Sequence, residues 1–337
     1  MRAFIGIACL CFFSFSTLNC GGDKYPGEEI FVGNKTPFKS LNYLYSISGE
    51  KMLSGQHNRE PNADPDKWTQ WIHAQTGKYP ALWSADFLFQ EDNIDHRWTM
   101  IQEAEKQWNN GAMISLLWHS CPPINGGEPC SWQDGILSRL TDQEWSDLIT
   151  DGTPINSIWK SMVDEVAGYL QYLDERGVEV LWRPYHEMNQ DNFWWGGRGG
   201  PDGTSQLFRM MYDRFTKHHG LSNLIWVWDL QDFSSLQQDL IDYNPGSSYW
   251  DVLALDNYSG PYSKSFYDMI VSMARGKPIA IGECAKLPVA RDLDDQPLWS
   301  FFMAWSELVM STNTISEVQE LYTDARVITL DEMPGWQ

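Results

Sequence analysis

Eight short apolar runs, each ending in polar residues and followed by a helical stretch, constrain this chain more than any other feature. The runs are 51–54, 81–84, 112–118, 178–183, 224–228, 252–255, 278–281 and 301–305. Between them lie helical patterns: Ile158, Trp159, Met162, Val163, Val166, Tyr169, Leu170 and Leu173 keep a 3.6-residue stripe. Leu207, Phe208, Met211, Tyr212 and Phe215 repeat it, and Thr314 with Glu317 spells a capping box for a last helix. Strands alternating with helices make βαβ units, hence an α/β fold with a parallel sheet. Eight alternations in about 290 residues fit one (β/α)₈ barrel better than an open, doubly wound sheet. No repeat or low-complexity tract divides the chain. The expected organisation is a leader over 1–19, a lead-in over 20–40 and a barrel over 41–337.

Each run hands over to polar residues: Gly55-Gln56-His57, Asp86, Trp118-His119, His186-Glu187, Asp229, Asp256-Asn257-Tyr258 and Gly282-Glu283. In a barrel of this kind all these tails meet at the C-terminal face, where active sites are built. Any one of them has a plain structural reading as a cap or a salt bridge; the set is harder to explain that way. The densest tail follows the fourth run, VEVLWRPYHEMNQDNFWWGG over 178–197, where strand formers give way to Arg183, His186 and Glu187 and then to Phe193-Trp194-Trp195.

Two carboxyl groups on either side of one bond are what glycoside hydrolysis needs. Glu187 and Glu283 follow the fourth and seventh runs, so a closed barrel would aim them across its mouth at one another. Aromatic surroundings should raise the pKa of Glu187 and keep it an acid, while Arg183 and Tyr258 could hold Glu283 ionised as a nucleophile. Rival chemistries fail. HEMNQ over 186–190 opens like a zinc-protease helix but has Gln190 where the second histidine ligand belongs. There is no CxxC pair, P-loop or GxSxG elbow, so neither a metal nor an organic cofactor is expected.

Composition narrows the substrate. With 24 Lys plus Arg against 45 Asp plus Glu, the net charge is −21, and no basic patch could track a phosphate backbone, which argues against nucleic acid. The 18 tryptophans suit sugar rings, although most should be structural. Arg2 and the uncharged apolar stretch over 3–15 read as an export signal, too short to span a bilayer. Plain secretion is favoured over lipid attachment through Cys20. In an oxidising compartment Cys121 and Cys130, which bracket a loop with Pro122, Pro123, Gly126 and Gly127, form a natural disulfide. Cys284 is left over and should be buried.

Ser54-Gly55-Gln56-His57, the run Arg183 to Asn189, Phe193-Trp194-Trp195-Gly196 and Ile281-Gly282-Glu283 carry a resemblance to glycoside hydrolase family 26, the β-mannanases. It extends over nearly all of the chain after the leader. The resemblance implies a (β/α)₈ barrel that hydrolyses β-1,4-mannosidic bonds with retention. Glu187 would be the acid/base and Glu283 the nucleophile. His119, His186, Trp194 and Tyr258 would surround the reacting sugar, with Trp132, Trp305 and Arg183 as further contacts. Two positions depart from the family: Asn192 stands where an aromatic is common, and Ser306 where an arginine often follows the tryptophan. The expectation is a secreted, monomeric endo-β-1,4-mannanase acting on mannan and manno-oligosaccharides. A mixed-linkage β-glucanase and a non-catalytic glycan-binding barrel are the alternatives.

Overall fold

The computed structural model describes residues 35–336; the leader, Cys20 and most of the lead-in lie outside them. Ten strands run β1 Met52–Leu53, β2 Gly55–Asn58, β3 Leu82–Asp86, β4 Met113–Trp118 and β5 Val180–Pro184, followed by β6 Leu224–Gln231, β7 Val252–Asn257, β8 Ile279–Cys284, β9 Trp299–Ala304 and β10 Val327–Ile328. Strands β2 to β9 pair in chain order, and β9 pairs with both β8 and β2. Every pairing among them is parallel. The sheet therefore closes on itself, and helices connect its strands, as the alternation required.

Apolar residues fill these strands because the barrel buries both faces. Trp83, Trp182, Trp226 and Trp228 are fully buried in them. The helix Pro154–Asp174 starts with Thr153 accepting a hydrogen bond from the Asn156 amide and Pro154 in the first turn, where a missing N–H costs nothing. Its stripe of Trp159, Val163, Val166, Leu170 and Leu173 is buried. The expected capping box of Thr314 and Glu317 is present on the helix Ile315–Tyr322.

The first predicted strand needs correction. In place of one run over 51–54 there are two pieces, parted at Ser54, whose hydroxyl donates to the Ile328 carbonyl at 2.8 Å and accepts from the Ala81 amide at 3.1 Å. The barrel register belongs to the second piece, Gly55-Gln56-His57-Asn58, which sequence reading takes for a polar tail. Those side chains stay buried because they have partners: His57 Nδ1 meets Ser84 Oγ at 2.9 Å and Asn58 Nδ2 donates to Thr69 Oγ1 at 2.9 Å. Gly55 is required there, since a Cβ would lie 2.4 Å from the Phe302 carbonyl oxygen. The small pair β1 and β10 caps the barrel beside β9; β10 has no counterpart among the eight runs.

Cys121 and Cys130 are joined, with Cα atoms 5.8 Å apart, and close the loop after β4. Cys284 is buried and free, and burial pushes its thiol up to about 12. A non-reducing peptide map should therefore return Cys121 and Cys130 as one linked species, with Cys284 silent to thiol reagents until the protein unfolds. Free thiols at 121 and 130 would contradict the pairing. Among the described residues, no helix is long and apolar enough to cross a membrane.

Candidate active site

Beyond Pro184, at the end of β5, the backbone turns sharply: Tyr185 and Glu187 both take left-handed conformations, with φ of 48° and 50°. Such residues cost about 1–3 kcal/mol each and persist only where the surroundings fix them. Here the helix Pro154–Asp174 and the aromatic tail fix them. Trp159 donates its indole N–H to the Tyr185 hydroxyl at 2.8 Å, and Trp195 donates to the His186 carbonyl at 2.9 Å. Phe193 stacks on Trp195 with ring centroids 4.5 Å apart. The result delivers Glu187, 5% exposed, to the floor of the cleft.

Glu283 arrives by a different device. Leu255 pairs with Ile281 but Asp256 pairs with Glu283, so Gly282 is an extra residue that bulges β8. A bulge re-aims the next side chain, and only glycine fits, because a Cβ would stand 2.5 Å from Asp256 Oδ1 and 3.3 Å from Asp229 Oδ1. Glu283 then points inward at 4% exposure. Arg183 donates to one of its oxygens and the Tyr258 hydroxyl to the other at 2.7 Å. The same guanidinium also donates to Asp229, and to Asp256 at 2.9 Å.

Glu187, Asp256 and Glu283 each bring one carboxyl oxygen within 4.8 Å of the others. Three such groups have a spacing that could hold a cation, but the charge of Arg183 already sits among them. A second trio of metal-ligand type, Asp164, His218 and His219, lies on the outer helices, where Arg214 engages both oxygens of Asp164.

The electrostatics separate the two glutamates. Burial, then the charges of Glu283 and Asp229, push the Glu187 carboxyl well above its usual range. Burial also raises Glu283, but there the charge and hydrogen bonds of Arg183, aided by Tyr258, work against it. One carboxyl is thus built to keep a proton and the other is supplied with donors for its ionised form. Burial and the negative charge of Glu283 hold the Tyr258 hydroxyl far above its ordinary pKa, so it remains a donor.

The other predicted residues fall into two groups. His119, whose Nδ1 pairs with Asp86 Oδ2, stands edge-on to His186, with centroids 4.5 Å apart. Burial lowers the pKa of His186 well below the usual value, so it is a neutral imidazole. His119, Trp132 and Trp305 line a hollow of about 240 Å³, and Trp305 stacks on His57 at 4.2 Å. Trp194 is the exception. It is 1% exposed, with its indole N–H on the Ser120 carbonyl at 2.6 Å, so it braces the cleft wall from behind and does not face a sugar.

All tryptophans but Trp71, Trp98, Trp132 and Trp305 are buried, which bears out the structural reading of most of them. Sequence reading missed Arg59, which lines the hollow with Gln90. The Arg59 amide donates to Ser306 Oγ at 3.1 Å and its guanidinium pairs with Glu307 at 2.6 Å. A guanidinium therefore lies next to Ser306 and Glu307, supplied by the chain after β2.

Comparison with known proteins agrees with this geometry. The model of the family described as "Glycosyl hydrolase family 26" matches residues 33–332. A mannan endo-1,4-beta-mannosidase of Thermothelomyces thermophilus is 32% identical over 308 residues, 88% of this chain and 61% of that protein. The chain spans about half to three-fifths of the length of four of the curated relatives that it matches. Among solved structures, a GH26A from Muricauda sp. superposes with a TM-score of 0.82 at 38% identity, covering 87% of this chain and 95% of that one. A beta-mannanase from a symbiotic protist of the termite Reticulitermes speratus, complexed with gluco-manno-oligosaccharide, gives 0.76 at 26% identity, covering 88% and 93%.

Proposed function

Since this chain belongs to glycosyl hydrolase family 26, we propose that it is an endo-β-1,4-mannanase that cleaves mannan and manno-oligosaccharides with retention. The observation that carries the mechanism is the spacing of the two glutamates. Retaining enzymes hold their carboxyl groups about 5–5.5 Å apart, and inverting ones roughly 6.5–9.5 Å to admit water between them. Oxygens of Glu187 and Glu283 within 4.8 Å favour the first. Glu187 protonates the glycosidic oxygen while Glu283 attacks the anomeric carbon from the opposite face. Water, giving its proton to Glu187, then breaks the resulting ester. The two displacements balance with water alone and need neither metal nor organic cofactor.

The relatives' names motivate mannan as the substrate, and the site offers a physical reason. Mannose differs from glucose in the direction of the C2 hydroxyl, next to the carbon where charge develops. Polar groups facing that hydroxyl discriminate strongly, because a mispointed one leaves them unpaired. His119 and His186 are the candidates. Trp132 and Trp305 would stack on either sugar. kcat/KM on β-1,4-mannan should therefore exceed that on lichenan by at least about 100-fold; comparable values would overturn the substrate assignment. The reading includes secretion, supported by the Cys121–Cys130 disulfide, and a monomer, since one chain supplies every group named.

A further inference from the structure

Of the aromatic rings that line the hollow, Trp132 is the most exposed, at 40%, and its own packing does little to hold it. Its ring neighbours His119, Phe89 and Phe193 stand at centroid distances of 5.6, 5.9 and 6.1 Å, and none lies flat against it. Ser131 to Asp134 are all exposed. A platform for a sugar ring must still keep one orientation, because a loose side chain gives up its freedom at the moment of binding and weakens it.

The backbone beneath supplies the order. Trp132 opens a single π-helical turn, Trp132–Ile136, in which Ser131 Oγ accepts from the Asp134 amide at 3.1 Å and the Leu137 amide donates to the Trp132 carbonyl at 2.7 Å. That turn sits on the disulfide: at Gly135 a Cβ would lie 2.6 Å from Cys130 Sγ and 2.7 Å from Cys130 Cβ. Cys121 comes two residues after His119, and Cys130 two before Trp132. The bridge therefore ties the end of β4, which carries His119, to the turn that carries Trp132. The other ties of the loop stop short of that turn. Glu128 accepts from the Trp118 indole at 2.8 Å and from Arg97 at 2.7 Å, and the buried Arg97 also donates to the Phe87 and Leu88 carbonyls at 2.9 and 2.6 Å. The last of them is the Cys130 amide, which donates to the Phe89 carbonyl at 3.2 Å. Among the described residues, no hydrogen bond runs from 131–135 to any residue outside 131–138.

We propose that the Cys121–Cys130 bridge is a positioning device for substrate: it seats the turn that carries Trp132 and so fixes the indole on the rim of the hollow as a ready-made platform for a sugar ring. Cys121, Cys130 and Gly135 are positioning residues that act through Trp132, and the proposal rests on the reading that the hollow takes a sugar unit of mannan. The bridge touches neither Glu187 nor Glu283, so its effect belongs to binding and not to bond cleavage.

The test is a double-mutant cycle on the steady-state kinetics of mannan cleavage. Replacing both cysteines, Cys121→Ser with Cys130→Ser, should raise KM about five- to tenfold, the scale of one lost aromatic contact, with kcat kept within about twofold. Trp132→Ala should raise KM by a similar factor. The chain with all three changes should be no worse than Trp132→Ala alone, since the bridge then has nothing left to position. Multiplying effects overturn the proposal, because a bridge that only stabilises the fold acts independently of Trp132. Gly135→Ala keeps both cysteines and pushes the turn off the sulfur. It should reproduce the rise in KM, and it takes the place of the serine variant in the cycle if that variant does not fold. An unchanged KM in Trp132→Ala removes the sugar reading of the hollow, and the bridge's role with it. A raised KM there, with an unchanged one in the serine variant or in Gly135→Ala, removes the bridge's role alone.

Discussion

A Glu283→Ala variant should cleave neither mannan nor an aryl mannoside, with kcat falling by about 10⁵-fold or more, the scale of losing a covalent nucleophile. An alanine there can form no glycosyl-enzyme, whatever the leaving group. Glu187→Ala should behave differently. General acid catalysis is worth about 10²–10⁴-fold, and that loss should fall on mannan, whose leaving sugar needs a proton. An activated aryl mannoside should still form the intermediate at a near-normal rate and release a burst of aryl alcohol. Hydrolysis then stalls, because Glu187 is also the base for water. Steady-state rates and burst amplitudes on both substrates check this. Equal losses for the two variants on the two substrates would remove the division of labour. The basis is structural: Glu283 is gripped by Arg183 and Tyr258, whereas Glu187 accepts from the Gln190 side chain and is flanked by the negative charges of Glu283 and Asp229.

Much of this was legible in the chain before folding, and the misses share a physical cause. Alternation of apolar runs with amphipathic stretches gave the barrel, and the residues at and just past the ends of the runs gave Arg183, Glu187, Tyr258 and Glu283. The ends of the strands were read too short. β6 runs on through Asp229 to Gln231, β7 through Asp256 and Asn257, and β8 through Glu283 to Cys284. Hydrophobicity marks where a strand is greasy, but a barrel mouth continues the backbone ladder through polar residues whose side chains find partners inside. For the same reason β2, all polar but for Gly55, reads as a tail in sequence. Arg59 carried no motif and no pattern; its significance comes from a neighbour far off in the chain, Ser306. Trp194 was misread because a tryptophan beside a catalytic loop looks alike in sequence whether it faces a sugar or braces the loop. Only the Ser120 carbonyl behind it decides.

Replacing Arg183 by methionine should cost the fold about 3–5 kcal/mol, the usual effect of taking one partner from a buried charge cluster, and should abolish activity. One guanidinium faces Asp229, Asp256 and Glu283 at once, and its own pKa is raised well above normal because their charges outweigh the burial that opposes it. Burial and the charges of Asp229 and Glu283 push Asp256 well above its ordinary range. Without Arg183, burial of Asp229 and Glu283 goes uncompensated and their folded-state pKa values rise further above the unfolded ones. A carboxyl with a raised pKa binds more protons folded than unfolded, so stability falls as pH rises from the unfolded value, about 4, towards the folded one. The variant should therefore melt closest to the unaltered protein near pH 4, with the gap widening as pH is raised through neutrality. A constant gap across that range would mean that Arg183 holds the site together by packing and not by charge. In the acid range, where the variant folds best, Glu283 would be protonated and unable to attack, so activity should not return there either.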